Sequence, residues 1–209
     1  MAYVMEFLGI MAVFSVMIVS PGADTAMVIR QSLLHGRRAA RWTSFGIGVS
    51  LLFHVGYTAL GLGLIISQSL LLFAILKWIG ALYLVYLGVQ ALRAPAADMA
   101  VDGNAGEHSS QSAFRSFGLG FLTNALNPKP VLFFLSLFSA LVSPETPVWV
   151  IFCYGLGMAT ALTGWFVIVG NLLTVPGFRH QFTRCGRWIN RVTGMIFIAL
   201  GARLAASNS

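Results

Sequence analysis

The chain has 209 residues, 57% of them hydrophobic and only 9% charged, with mean hydropathy +0.82. A soluble domain carries about 25% charged residues, so this composition excludes one and specifies an integral membrane protein. The net charge of +7 comes from side chains scattered between apolar runs, and no nucleic-acid partner is expected from it.

A bilayer asks for about 20 apolar residues per helix, and the chain offers runs that meet this need at residues 3–19, 42–66, 70–92, 114–142, 148–173 and 188–206. The expected fold is therefore all-α with six transmembrane helices. The first run lacks a basic leader, contains Glu6 and meets Pro21 directly after Ser20, so it is expected to be a retained span and not a secretory signal. It is interrupted at Ser20-Pro21-Gly22-Ala23-Asp24, and a basic stretch with Arg30, Arg37, Arg38 and Arg41 follows. The second run carries His54 at its middle and the third ends at Arg93. Residues 94–113 begin with Ala94-Pro95, are rich in Ala, Ser, Gly and acids, and lack an apolar period. They are expected to be a mobile cytoplasmic linker between a first unit, 1–93, and a second, 114–209. Its Asp98, Asp102, Glu107 and His108 read as solvated side chains.

The fourth run is interrupted at Asn127-Pro128-Lys129-Pro130. The fifth contains Cys153, and a loop with Arg179, Arg184, Cys185 and Arg187 leads into the sixth. The two cysteines form no metal or redox motif, and Cys153 is expected to be a small apolar packer. His35, His54, His108 and His180 are scattered, without nucleophile, base or metal spacing, so neither an enzyme nor a metal or cofactor site is expected.

Six spans place the loops after the first, third and fifth on one side. That side holds Arg30, Arg37, Arg38, Arg41, Arg93, Arg115, Arg179, Arg184 and Arg187, against Lys77 and Arg203 on the other. The positive-inside rule puts the arginines in the cytoplasm and both termini on the opposite side.

The two units also match each other. Phe45-Gly46-Ile47-Gly48 pairs with Tyr154-Gly155-Leu156-Gly157 at an offset of 109, Lys77-Trp78-Ile79 with Arg187-Trp188-Ile189 at 110, and Leu87-Gly88 with Leu200-Gly201 at 113. The prolines Pro21 and Pro128 stand 107 residues apart. Three spans per unit is an odd number, so the second unit enters the membrane from the opposite face. The expected architecture is a 3+3 inverted-topology repeat with helices 1 and 4 broken.

Proline ends a helix by removing a donor and clashing with the carbonyl one turn earlier. Ser20-Pro21 and Asn127-Pro128 each read as an N-cap followed by proline at the first helical position, with Gly22 and Pro130 completing the two breaks. Both units are thus expected to restart a helix inside the membrane. Each restart carries about half a positive charge, and two of them aimed at the midplane from opposite sides suit a carboxylate. Asp24 is 13 residues from Arg37 and Lys129 is 14 from Arg115, which places both about 20 Å from the cytoplasmic boundary. A lone charge there costs at least about 2.5–3.5 kcal/mol, so each needs a partner. The helix dipole opposes Lys129, leaving Asp24 or a bound carboxylate to compensate it. Asp24 either satisfies N–H groups freed by its proline, pairs permanently with Lys129, or holds a ligand. Ser20, Thr123, Asn124 and Asn127 are candidate ligand contacts. His54 is either a proton relay titrating near neutral pH or a neutral side chain bonded across a helix interface.

Ser20-Pro21-Gly22-Ala23-Asp24, followed by Val28-Ile29-Arg30 and Gly36-Arg37-Arg38-Ala39, resembles the first-span signature of the LysE/RhtB family of amino-acid exporters. Lys77-Trp78-Ile79-Gly80-Ala81-Leu82-Tyr83-Leu84 and Leu122-Thr123-Asn124-Ala125-Leu126-Asn127-Pro128-Lys129 resemble its third- and fourth-span motifs. The resemblance implies a bacterial inner-membrane exporter of amino acids driven by the proton gradient, closest to the homoserine and threonine efflux branch, and it matches Asp24 and Lys129 to the family's Asp and Lys. Ala23, where relatives commonly have a second proline, and Pro130, directly after the lysine, depart from the pattern at the bends of the site.

The expected function is secondary export by proton antiport and alternating access, with the substrate carboxylate on Lys129 and its ammonium on Asp24. Asp24, a buried carboxyl, is the first candidate for the proton-exchanging group, and His54 is the second. The expected partners are a small amino acid, protons and the bilayer, with self-association left open. A metal-ion or other small-solute exporter would want several Asp, His or Cys in one cavity. A non-transporting scaffold would leave two charged helix breaks without a purpose.

Overall fold

The computed structural model describes residues 1–20, 22–68, 70–93, 111–143, 145–172 and 176–206, except for the side chains of 62–74, 76, 77, 128, 176–187 and 189. Residues 94–110 of the expected linker lie outside the described residues, as do Pro21 and the side chains of His180, Cys185 and the arginines beside it. Among the described residues seven helices follow one another: α1 (Ala2–Val19), α2 (Ala23–Gln68), α3 (Leu70–Arg93), α4 (Ala113–Ala125), α5 (Pro128–Leu141), α6 (Val148–Leu172) and α7 (Pro176–Ala206). No strand occurs among the described residues. This is the arrangement a bilayer favours, because a helix satisfies its backbone within its own segment. Ala2–Val19, Ala23–Gly61 and Val148–Leu172 are long and apolar enough to cross a membrane, and Trp78–Arg93 and Lys129–Leu141 are shorter apolar helices.

α2 turns back on itself at Gly36, whose φ of 78° and ψ of 179° leave the helical region. Glycine takes that backbone without the penalty a Cβ would bring. A Cβ built on Gly170 of α6 would lie 3.0 Å from Ala40 and 3.2 Å from Val28, two residues that a straight helix would hold about 18 Å apart. The basic stretch is therefore a tight turn between a short arm, 23–35, and a long arm, 37–68. Ser32 Oγ donates to the Gly170 carbonyl and Arg41 Nε donates to Asn171 Oδ1, fastening this turn to the end of α6.

Small residues set the helix crossings. Gly46 of the long arm lies directly on the Phe117 carbonyl of α4, and Gly120 of α4 lies on the Thr43 carbonyl. Gly48 meets Thr163 and Gly155 meets Val55 where the long arm crosses α6. In the α3–α7 pair, a Cβ on Gly88 or on Gly194 would stand 2.7 Å from the other's carbonyl, and one on Gly201 2.8 Å from that of Ala81. The order of these contacts makes α3 and α7 antiparallel. Phe14, Phe133, Phe134, Phe138 and Phe197 fill the centre, all buried.

Two expectations need correction here. Cys153 does not pack inward; it is exposed beside Phe152 and Leu156 on the outer face of α6. A helix apolar on every side gives no sequence signal of which face is inner. Ser20 is not an N-cap: it closes α1, extended at φ −66° and ψ 124°, as the residue before a proline is held. The chain needs two more residues to recover, so α2 begins at Ala23, with Ala26 N–H bonded to the Gly22 carbonyl. Asn127 does cap its helix, accepting from Lys129 N–H at 3.0 Å with proline at the first position of α5.

Glu6 has a structural task. Its carboxylate accepts from Ser143 N–H at 3.2 Å, Thr146 Oγ1 at 3.0 Å and the Tyr154 hydroxyl at 3.1 Å, tying α1 to the α5–α6 connection and to α6. Glu6→Ala leaves these donors without their charged acceptor and is expected to cost about 1–3 kcal/mol, read as a lower thermal midpoint in detergent. Glu6→Gln keeps an acceptor and should fall between that variant and the parent.

Candidate functional site

The two helix breaks lie side by side. Ser20, freed from capping α2, accepts from Lys129 Nζ at 3.4 Å, and Lys129 Nζ passes 3.6 Å from where a Gly22 Cβ would be. Asp24, on the first turn of α2, accepts from Asn124 Nδ2 at 2.8 Å through Oδ2, with the Asn127 side chain close by. Asp24 and Lys129 interact electrostatically. The dipole of α2 favours the carboxylate at its start, whereas that of α5 opposes an ammonium there, so Asp24 compensates a lysine that its own helix disfavours. Asp24 Oδ1 and Asn124 Oδ1 are buried without a hydrogen-bond partner.

Ser20, Asp24, Asn124, Asn127 and Lys129 thus meet. Thr123 does not join them: it lines a groove of about 440 Å³ with Ala23, Leu119, Leu122, Leu126 and Asn127. His54 is buried one layer away. Its Nδ1 lies 2.7 Å from the Tyr57 hydroxyl and its Nε2 3.1 Å from the Asn124 carbonyl, with the ring stacked on Phe134. A carbonyl only accepts, so Nε2 donates to it. Through that bond the ring holds the backbone of the residue whose side chain binds Asp24.

A cavity of about 820 Å³ opens beside Lys129. Ser20, Gly22, Ala23, Asn127 and Lys129 line it at the breaks, and Tyr83, Tyr86, Leu87, Gln90 and Arg93 of α3 with Asn190 and Phe197 of α7 form its far wall. On the other side of Lys129, between Asp24, Thr25, Leu162 and Phe166, only about 20 Å³ is open. Sequence reasoning missed the far wall. Polar side chains at 83, 86, 90 and 93 recur every three or four residues through an apolar run, a helical stripe that signals a wet face. Among the described residues, no three of His, Cys, Asp and Glu converge on one point.

Residues 15–208 match the family model described as LysE type translocator. The chain is 32% identical over 206 residues to the threonine efflux protein of Escherichia coli strain K12, covering 97% of this chain and 98% of that relative. It is also 32% identical over 197 residues to the homoserine/homoserine lactone efflux protein of Salmonella typhi, covering 90% of each. No solved structure matches the chain.

Proposed function

This chain belongs to the LysE type translocator family, and we propose on that premise that it exports small neutral amino acids, such as threonine or homoserine, from the bacterial cytoplasm in exchange for protons. The observation that carries the reading is the meeting of Asp24, Lys129, Ser20, Asn124 and Asn127 from two breaks at the edge of a cavity. A zwitterion needs one cation and one anion close together, and the breaks supply both. The substrate carboxylate takes Lys129 and its ammonium takes Asp24. The relatives' names agree with this substrate class.

Asp24 is the group that exchanges the proton. Deprotonated, it faces Lys129; protonated, it gains an O–H to donate where Asn124 Oδ1 now lacks a donor. His54 positions Asn124, since both its nitrogens are already engaged. Alternating access is built on a 3+3 inverted repeat in the inner membrane. The α3–α7 contacts support this: under the offset that equates Leu87-Gly88 with Leu200-Gly201, exchanging the halves turns the Gly88–Gly194 contact into Ala81–Gly201. The arginine distribution orients the protein with both termini outside the cytoplasm, and the cavity, reaching Arg93, faces the cytoplasm.

Counterflow of a panel of labelled amino acids in proteoliposomes tests the reading. Threonine or homoserine is expected to exchange and to dissipate an imposed pH gradient. Movement of no amino acid, with the gradient intact, would overturn it.

A further inference from the structure

Among the described residues three spaces adjoin the paired breaks, and one of them suits a substrate's side chain. The void beside Asp24 is about 20 Å³, room for a single water. The groove beside α4 is walled by Leu119, Leu122 and Leu126, with Leu122 and Leu126 exposed on the outer surface, so a polar group sent there would face hydrocarbon. With the backbone charges of the substrate held at Lys129 and Asp24, its side chain is left with the 820 Å³ cavity and the wall made by α3 and α7.

That wall has an uncommon composition. Asn190 is only 4% exposed yet lines the cavity, flanked there by Leu87 and Phe197, also buried, and by half-buried Tyr83. A buried amide in apolar surroundings is costly unless bonded. Asn190 and Tyr83 each already make a contact within the protein, which holds them in place. An amide offers two donors and two acceptor lone pairs, and a phenol can donate and accept at once, so both side chains can hold a partner within the protein and bond a ligand together. The Gly88–Gly194 crossing stands one turn from Asn190 and brings the two backbones as close as they can come, so the wall is rigid there.

We propose that Asn190 and Tyr83 read the substrate's side chain and select one bearing a hydroxyl over its apolar isostere. A site built to bond a hydroxyl rejects the analogue lacking it, because the site's own polar groups are then left unpaired, whereas an apolar pocket discriminates weakly. The inference rests on the exporter reading above and deepens it.

Competitive counterflow with isosteric pairs, threonine against valine and homoserine against norvaline, tests it. The parent is expected to prefer the hydroxylated member of at least one pair. Asn190→Leu, close in size and apolar, lowers that ratio at least about tenfold, and Tyr83→Phe, which removes one oxygen, lowers it by a smaller factor. A ratio is independent of how much protein inserts, so a purely structural role would slow both members in parallel and leave it unchanged. Should Asn190→Leu fail to fold, Tyr83→Phe decides alone. An unchanged ratio in the variants that transport, or a parent that moves both members of each pair equally, overturns the inference while leaving the exporter reading intact. A parent that moves no amino acid instead overturns that earlier reading.

Discussion

Asp24→Asn is expected to abolish gradient-driven export while the protein still inserts and folds. The amide has nearly the shape of the carboxylate, its oxygen can accept from Asn124 Nδ2 as Oδ2 does now, and its N–H group supplies the donor that Asn124 Oδ1 lacks. Its hydrogen bonds are satisfied locally, and the Lys129 ammonium, left without its counter-charge, costs the variant part of its thermal stability. It loses the charge facing Lys129 and the ability to take up and release a proton. Lys129→Met likewise leaves the buried Asp24 carboxylate without its counter-charge and is expected to lower the thermal midpoint. The double variant Asp24→Asn/Lys129→Met buries no unpaired charge and should recover thermal stability toward the parent without recovering transport. Efflux from proteoliposomes and melting in detergent separate the two roles. Normal efflux by Asp24→Asn would remove Asp24 from the mechanism, and efflux restored in the double variant would reduce the pair to a structural tie.

The second large effect concerns packing. Gly46 and Gly120 each abut a backbone carbonyl on the other helix, and backbone cannot rotate aside as a side chain can. Gly46→Ala and Gly120→Ala must push α2 and α4 apart along the seam where Thr43 Oγ1 also bonds the Ser116 carbonyl. A loss of about 3 kcal/mol, at the upper end for overpacking, is expected for each, seen as a collapse of the monodisperse peak in size exclusion. Gly118→Ala is the control on the same helix: a Cβ there meets nothing within 4 Å, and replacing a mid-helix glycine gains about 0.5–1 kcal/mol. Equal behaviour of Gly118→Ala and Gly120→Ala would contradict the close approach.

The difference between what was legible in the sequence and what was not follows from the range of each constraint. Proline acts on its own turn of helix, so both breaks, and the cap made by Asn127, could be read locally. Where the helix resumes is a less local matter, and Ser20 was assigned to the wrong helix end. Asp24 and Lys129 stand out in the sequence because an ionisable group in an apolar run is expensive wherever it points. The same argument applied to Glu6, which lies in the first run, would have marked it as bonded. Tyr83 and Asn190 do not stand out in the sequence because their place on the cavity wall depends on how α3 and α7 are turned about their axes, which apolar composition leaves undetermined. Thr123 lies in the groove with Asn127 and not among the side chains bonded to Asp24, since adjacent residues on a helix point about 100° apart.

The void of about 20 Å³ between Asp24 and the α6 side chains Leu162 and Phe166 bears on leakage as well as binding. Protons cross membranes along files of water, and a space for one molecule is a gap in any such file. If Asp24 exchanges the proton as proposed, the space beside it has room for one water only, and the proton would wait until the two break segments separate. On the same reading the substrate's ammonium would need that separation to reach Asp24. One scarcity of volume would then tie both cargoes to a single movement, and a larger hole at Leu162 or Phe166 is expected to let protons slip through alone.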